Sequence, residues 1–325
     1  MTETVAVGAS ALSCLTANLS TYLSSTMDDP LGHIARSVHL GLRFGVAPAF
    51  SHHRYSIATL GPGQQLAYRA TTDPVTAVAR LAEQIDSHGG VLVLTYSGAL
   101  PWSLARPDDA APHLVLLTDH ADQWWHASDA FSALLPGGRQ NPFDGRIGTT
   151  ELLHAMHTPT LAIEQRHRIR YAFGPAAAVP SDDGYRWLEP APAETHAADP
   201  DWTDDPDVVL PRLGSFFAGL PAGEEFIDDI WAAAQHHAFR YAHLLQHHAL
   251  TGCQTAAVDA AVTAWNGLPM SLHFAADSAR RGRPRATLVT TSFLTLHETE
   301  LRCVPILVQL GYAAPRDRVI MKGRQ

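Results

Sequence analysis

Apolar residues recur along this chain in two ways, at helical spacing and in short continuous runs, and the two together divide it into a mixed first part and a helical second part. Leu15, Leu19, Tyr22 and Leu23 can share one helix face headed by Cys14, after the small residues Gly8, Ala9, Ser10 and Ala11 that permit a sharp turn. Asp28, Asp29 and Pro30 start a short helix through Ile34 and Val38, and Gly41, Arg43 and Gly45 lead into an extended piece. The clearest helix covers residues 73–88, with Asp73 as N-cap, Pro74 behind it, a stripe of Val75, Val78, Leu81, Ala82 and Ile85, and a stop at Gly89 and Gly90. GVLVLTYS then has the length of a buried strand, and HLVLLT (113–118) and QWWHAS (123–128) read as two more, joined by a tight turn over 119–122. GTTELLHAMH (148–157) is expected as a helix capped by Thr149 or Thr150, and HRIRYAF (167–173) as a further strand.

From residue 175 to 209 the chain turns to Pro, Ala and Asp, with little periodicity beyond a possible strand at 185–188, so a linker or long surface loop is expected. Residues 224–250, 253–266, 268–279 and 288–312 are expected as helices, broken at Gly252, Gly267 and 280–285. The expected fold class is therefore α+β: helices and a small, largely antiparallel sheet in residues 1–174, then a mainly helical domain over 210–325.

Composition narrows the function. A chain of 325 residues that is 46% hydrophobic can bury a sizeable core, and its length suggests about two domains. A net charge of −9 argues against a nucleic-acid partner. There is no run of eighteen apolar residues to meet a membrane and no basic residue before the first apolar stretch, so a cytoplasmic protein is expected. Cys14, Cys253 and Cys303 are too few and too far apart for a disulfide framework.

The candidate chemistry starts at Cys14. Unpaired N–H groups at a helix start favour the thiolate, the nucleophilic form of cysteine. His113 opens one strand and Asp129 ends the next, so an antiparallel pair can bring a base and an orienting carboxylate together, in the order Cys, His, Asp of papain-type enzymes. Trp102, Trp124 and Trp125 flank the histidine and could wall a substrate pocket. A rival site is the His-rich segment His236, His237, His243, His247 and His248, where His243 and His247 have metal-clamping spacing, and a non-enzymatic metal- or ligand-binding module is the alternative it offers. The cluster Arg280, Arg281, Arg283 and Arg285 could attract an acidic partner or a phosphate.

The ordered set SCLTANLSTYL, GLRFGV, DPVTAVARL, VLVLTYSGALPW, HLVLL and WWHASD resembles the N-terminal domain of the butirosin-biosynthesis acyltransferase family, over roughly residues 8–160. The resemblance implies a papain-like cysteine fold and transfer of an acyl group from an acyl carrier protein to a small-molecule amine in specialised-metabolite biosynthesis. No cofactor is implied beyond the carrier's own phosphopantetheine arm. It makes Cys14 the nucleophile, His113 the general base and then acid, and Asp129 the orienting carboxylate; the arginine cluster would then meet the carrier protein. Gly8 stands where papain-like enzymes carry an oxyanion-binding Gln, which leaves the Cys14 backbone N–H with Ser10 or Ser13 as the second donor. The same triad would also serve thioester hydrolysis, cyclisation or peptide cleavage.

Overall fold

The computed structural model describes residues 12–45, 47–106, 111–135, 138–174, 179, 184–193 and 201–313. In chain order its elements are α1 (Cys14–Leu23), α2 (Pro30–Ser37), β1 (Val38–Arg43), β2 (Ala49–His53), β3 (Thr59–Gly61), β4 (Gln64–Thr71), α3 (Pro74–His88), β5 (Val91–Tyr96), β6 (Pro112–Ala121), β7 (Trp124–Asp129), β8 (Ala133–Leu135), β9 (Gly138–Gln140) and β10 (Phe143–Gly148). There follow α4 (Thr149–Met156), α5 (Ile163–Tyr171), β11 (Tyr185–Pro192), β12 (Trp202–Thr203), α6 (Pro206–Phe217), α7 (Ile227–His247), α8 (Gly252–Arg280) and α9 (Ala286–Gln309). The fold is mixed α+β, built on an antiparallel seven-stranded sheet of order β10-β7-β6-β5-β11-β4-β3. A three-stranded sheet, β12-β1-β2, and the small β8-β9 hairpin accompany it. No helix among the described residues is long and apolar enough to cross a membrane.

Both faces of the large sheet are covered, which is why β5 reads as an unbroken apolar run. Val91 and Val93 join Leu81 and Ile85 of α3 and Leu152 and Met156 of α4 in one core. Leu92 and Leu94, pointing the other way, join Leu15 and Leu19 of α1 and the apolar faces of α6 to α9 in a second, larger core. Asp73 caps α3 by accepting from the N–H groups of Val75 and Thr76, and Gly89 closes that helix at φ 74°, the left-handed conformation that glycine adopts without a Cβ clash. Val75, expected in the buried stripe, is 75% exposed; the helix starts at Pro74, and Ala77, Leu81 and Ile85 form its inner row.

Three expectations are corrected. Residues 167–173 alternate like a strand, yet 167–171 belong to α5 and 172–173 to the turn after it, and Glu164 in the first turn of the helix and Arg168 and Arg170 in the last suit the helix dipole. The segment 175–209, expected as a linker, contains β11, which pairs with β4 along its whole length and with β5 through Arg186, Trp187 and Leu188. Pro190 and Pro192 misled because proline lacks an N–H, but both lie beyond the residues that bond β5, where that donor is not required. The same segment also holds β12 and the start of α6, which Asp205 caps. Finally, 253–266 and 268–279 form one helix, α8, because a glycine inside a helix costs only about 1 kcal/mol and Trp265, Leu268, Leu272 and Ala276 bury one continuous face across Gly267 and Pro269.

Candidate active site

Cys14 is the first residue of α1, and Ser13 before it is extended, so the helix opens at the thiol. α1 packs across the start of β6, where the Cys14 thiol donates to the Pro112 carbonyl at 3.6 Å. The next residue, His113, is buried; its Nε2 lies 2.8 Å from Asp129 Oδ2, and the Cys14 side chain is its other charged-group neighbour. A ring whose Nε2 is taken by a carboxylate meets its other partner through Nδ1, so the imidazole stands between thiol and carboxylate. Burial opposes charge on His113, but the neighbouring Cys14 and Asp129 side chains outweigh it and raise the imidazole to about 10. Burial likewise pushes the Asp129 carboxyl up, while His113 and hydrogen bonds from Asn18 and Trp102 hold it below its ordinary value.

Asp129 is held from every side. Its Oδ2 also accepts from the Trp102 indole N–H at 2.9 Å, and its Oδ1 accepts from Asn18 Nδ2 at 2.9 Å and from the Phe131 backbone N–H at 3.0 Å. Asn18 lies one helical turn after Cys14; its Nδ2 also reaches the Cys14 and Leu114 carbonyls, and its Oδ1 accepts from Ala130 N–H at 2.8 Å. The helix that opens at Cys14 thus locks the carboxylate. The i, i+4 spacing of Cys14 and Asn18 was the available sequence signal, and it becomes readable only once Asp129 is known to lie beneath α1.

Cys14, His113 and Asp129 line a cavity of about 300 Å³. Its walls are mainly apolar, from Leu15, Phe50, Phe131, Tyr171 and Trp231. The polar lining includes Ser13, Thr16, His52 and His236, and also Gln165 with an Arg168–Asp229 pair. Arg168 Nη2 lies 2.8 Å from Asp229 Oδ2, so this charged pair is largely matched within itself.

The other candidate residues are dispersed. Trp102 stacks on Phe143 at 4.0 Å between ring centroids and braces Asp129 instead of walling the cavity. Trp125 is buried in the α3/α4 core with its N–H on Thr149, and Trp124 is 52% exposed; both lie at the turn end of the β6-β7 hairpin, remote from His113. Ser10 lies outside the described residues. Ser13 lines the cavity, but its hydroxyl donates to Thr16 Oγ1 at 3.2 Å, so that proton is committed away from an oxyanion.

Arg280 pairs with Glu224 and Asp277, Arg285 donates to Ser278, and Arg281 and Arg283 are exposed; none of the four lines the cavity, although His273 of the same helix α8 does. The histidines of α7 part company. His236 faces the cavity, His237 stacks on Trp265 at 4.0 Å, His243 stacks on His247, and both His243 and His248 bond the Tyr312 hydroxyl. Among the described residues no three His, Cys, Asp or Glu side chains converge as a metal-holding set. Compared with known proteins, the chain matches no family model and no curated protein.

Proposed function

We propose that this protein is a papain-like cysteine acyltransferase, which takes an acyl group from a thioester onto Cys14 and passes it to an amine. One observation carries the reading: a cysteine at a helix start, a buried histidine beside it, and a carboxylate 2.8 Å from the imidazole Nε2 meet on one cavity wall. With the second ring proton already held on His113, the Cys14 sulfur attacks the thioester carbonyl as the thiolate. As the tetrahedral adduct collapses, the C–S bond to the donor breaks and the imidazolium returns its proton to the leaving thiolate. An amine then attacks the acyl-Cys14 carbonyl, His113 accepts a proton from the amine nitrogen, and the Cys14 thiolate departs. Asp129 fixes the ring orientation and stabilises the imidazolium in both halves.

The apolar walls supported by Phe50, Phe131 and Trp231 suit an acyl chain and limit water at the acyl-enzyme, which favours transfer over hydrolysis. A phosphopantetheine thioester on an acyl carrier protein is the donor we propose. The test is product analysis: an acyl-pantetheine thioester supplied with a primary amine should yield the amide, at a rate that rises with amine concentration. Free acid alone, unaffected by the amine, would make the protein a thioesterase and overturn the transferase reading.

A further inference from the structure

Hydrogen-bond direction beside Cys14 is fixed by which groups are able to donate. His236 Nδ1 lies 2.6 Å from the Ala232 carbonyl oxygen, which only accepts, so Nδ1 carries the ring proton. The ring is buried against His52 and His53, at 5.3 and 4.9 Å between centroids, and burial lowers it to about 4, so it is neutral and Nε2 is a bare lone pair. Thr16 Oγ1, 3.0 Å from Nε2, must therefore donate to it. A hydroxyl has one proton, so across the 3.2 Å between Ser13 and Thr16 it is Ser13 that donates. The chain runs one way, from Ser13 through Thr16 to His236 and the Ala232 carbonyl. Ser13 Oγ is left with lone pairs only, in the residue adjoining Cys14 and on the same cavity wall.

We propose that Ser13 Oγ is an acceptor subsite for an N–H or O–H group of the substrate next to the carbon under attack, with Thr16 and His236 as the positioning residues that hold its polarity. This rests on the acyltransferase reading. The donor group belongs either to the acyl chain, as a hydroxyl or amide N–H close to the thioester carbonyl, or to the incoming amine, as the N–H that is not removed. A single neutral hydrogen bond of this kind changes a rate by roughly five- to tenfold.

The experiment measures acylation and transfer separately by rapid quench, using wild type, Ser13→Ala and Ser13→Thr, with 3-hydroxybutyryl- and butyryl-pantetheine as donors and butylamine and piperidine as acceptors. If the acyl chain supplies the donor, Ser13→Ala slows acylation by the hydroxybutyryl thioester about fivefold to tenfold, leaves the butyryl thioester unchanged, and Ser13→Thr restores the rate. If the amine supplies it, Ser13→Ala slows transfer to butylamine and spares piperidine, whose one N–H is lost in the reaction. Equal slowing of every substrate, or none, overturns the subsite. A parallel binding measurement with the Cys14→Ala protein needs no turnover: preference for the hydroxybutyryl over the butyryl thioester, lost in Cys14→Ala/Ser13→Ala, supports the acyl-side subsite even where wild type forms no acyl adduct, a result that would sink the acyltransferase reading alone. No preference there, with no effect on transfer to butylamine, overturns it.

Discussion

Cys14→Ala is expected to abolish acyl-enzyme formation, with single-turnover acylation falling on the order of 10⁶-fold, the scale on which removal of a triad nucleophile acts. Intact-protein mass spectrometry after incubation with an acyl-pantetheine thioester reads the result as the presence or absence of one acyl mass. The other two thiols provide an internal control. Cys303 is buried, and burial pushes its thiol up to about 11, so it is a poor nucleophile at neutral pH. Cys253 is exposed and free, and is the residue on which a non-enzymatic adduct would form. An adduct that persists in Cys14→Ala and maps to peptides other than that of Cys253 would remove Cys14 from the mechanism. The fold should survive the change, because His113 keeps its bond to Asp129 and Asn18 keeps all of its own partners.

Asp129→Ala carries the largest expected cost in stability. The carboxylate is 1% exposed and accepts from His113, Trp102, Asn18 and the Phe131 N–H, so its removal takes the acceptor from His113, Trp102 and the Phe131 N–H at once, while Asn18 keeps the Cys14 and Leu114 carbonyls. Breaking a buried pair from one side costs about 3–5 kcal/mol, measurable as a fall in the urea midpoint at unchanged slope. The cost is pH-dependent. His113 is raised in the folded state from 6.5 to about 10, so its share of the pairing is fully present below pH 6.5 and fades as pH rises toward 10. Asp129 is lowered from 3.8, so its share is present above pH 3.8 and is lost as pH falls through the folded value. The gap between wild type and Asp129→Ala should therefore be widest between these limits and narrow toward pH 10; a gap that is flat with pH would mean that the ion pair contributes nothing beyond packing.

The Cys14, His113 and Asp129 trio was legible because each member is tied to a local signal: a small-residue approach to a helix for Cys14, and the two strands of one hairpin for His113 and Asp129. What was not legible depends on contacts between distant segments. Asn18 and Trp102 are ordinary residues until the fold carries them to one carboxylate, 111 and 27 positions away. Trp124 and Trp125 were near His113 in sequence, but the hairpin carries them to its other end. Ser13 was read as an oxyanion donor because serine usually supplies a proton; its partner Thr16 is bound in turn by His236, 220 residues further on, and that contact reverses the expectation. The first half of β11, residues 185–188, was legible as a possible strand, but its prolines hid the rest, since local composition does not reveal which side of a strand goes unpaired.

The position of β11 bears on where the catalytic unit ends. Because it lies between β5 and β4, a chain cut after residue 174 would leave two long, unpaired edges facing each other across a gap of about 10 Å, twice the usual strand spacing. Such edges pair with whatever strand is offered, and a truncated protein of this kind recruits other copies of itself. Cys14, His113 and Asp129 lie on α1, β6 and β7, all encoded before residue 130, yet the cavity they line also takes walls from Tyr171, Trp231 and His236, and the sheet beneath them is completed only after residue 192. During synthesis Cys14 would be made first and its platform finished late, so assembly of the site and the risk of aggregation are decided by the same few residues.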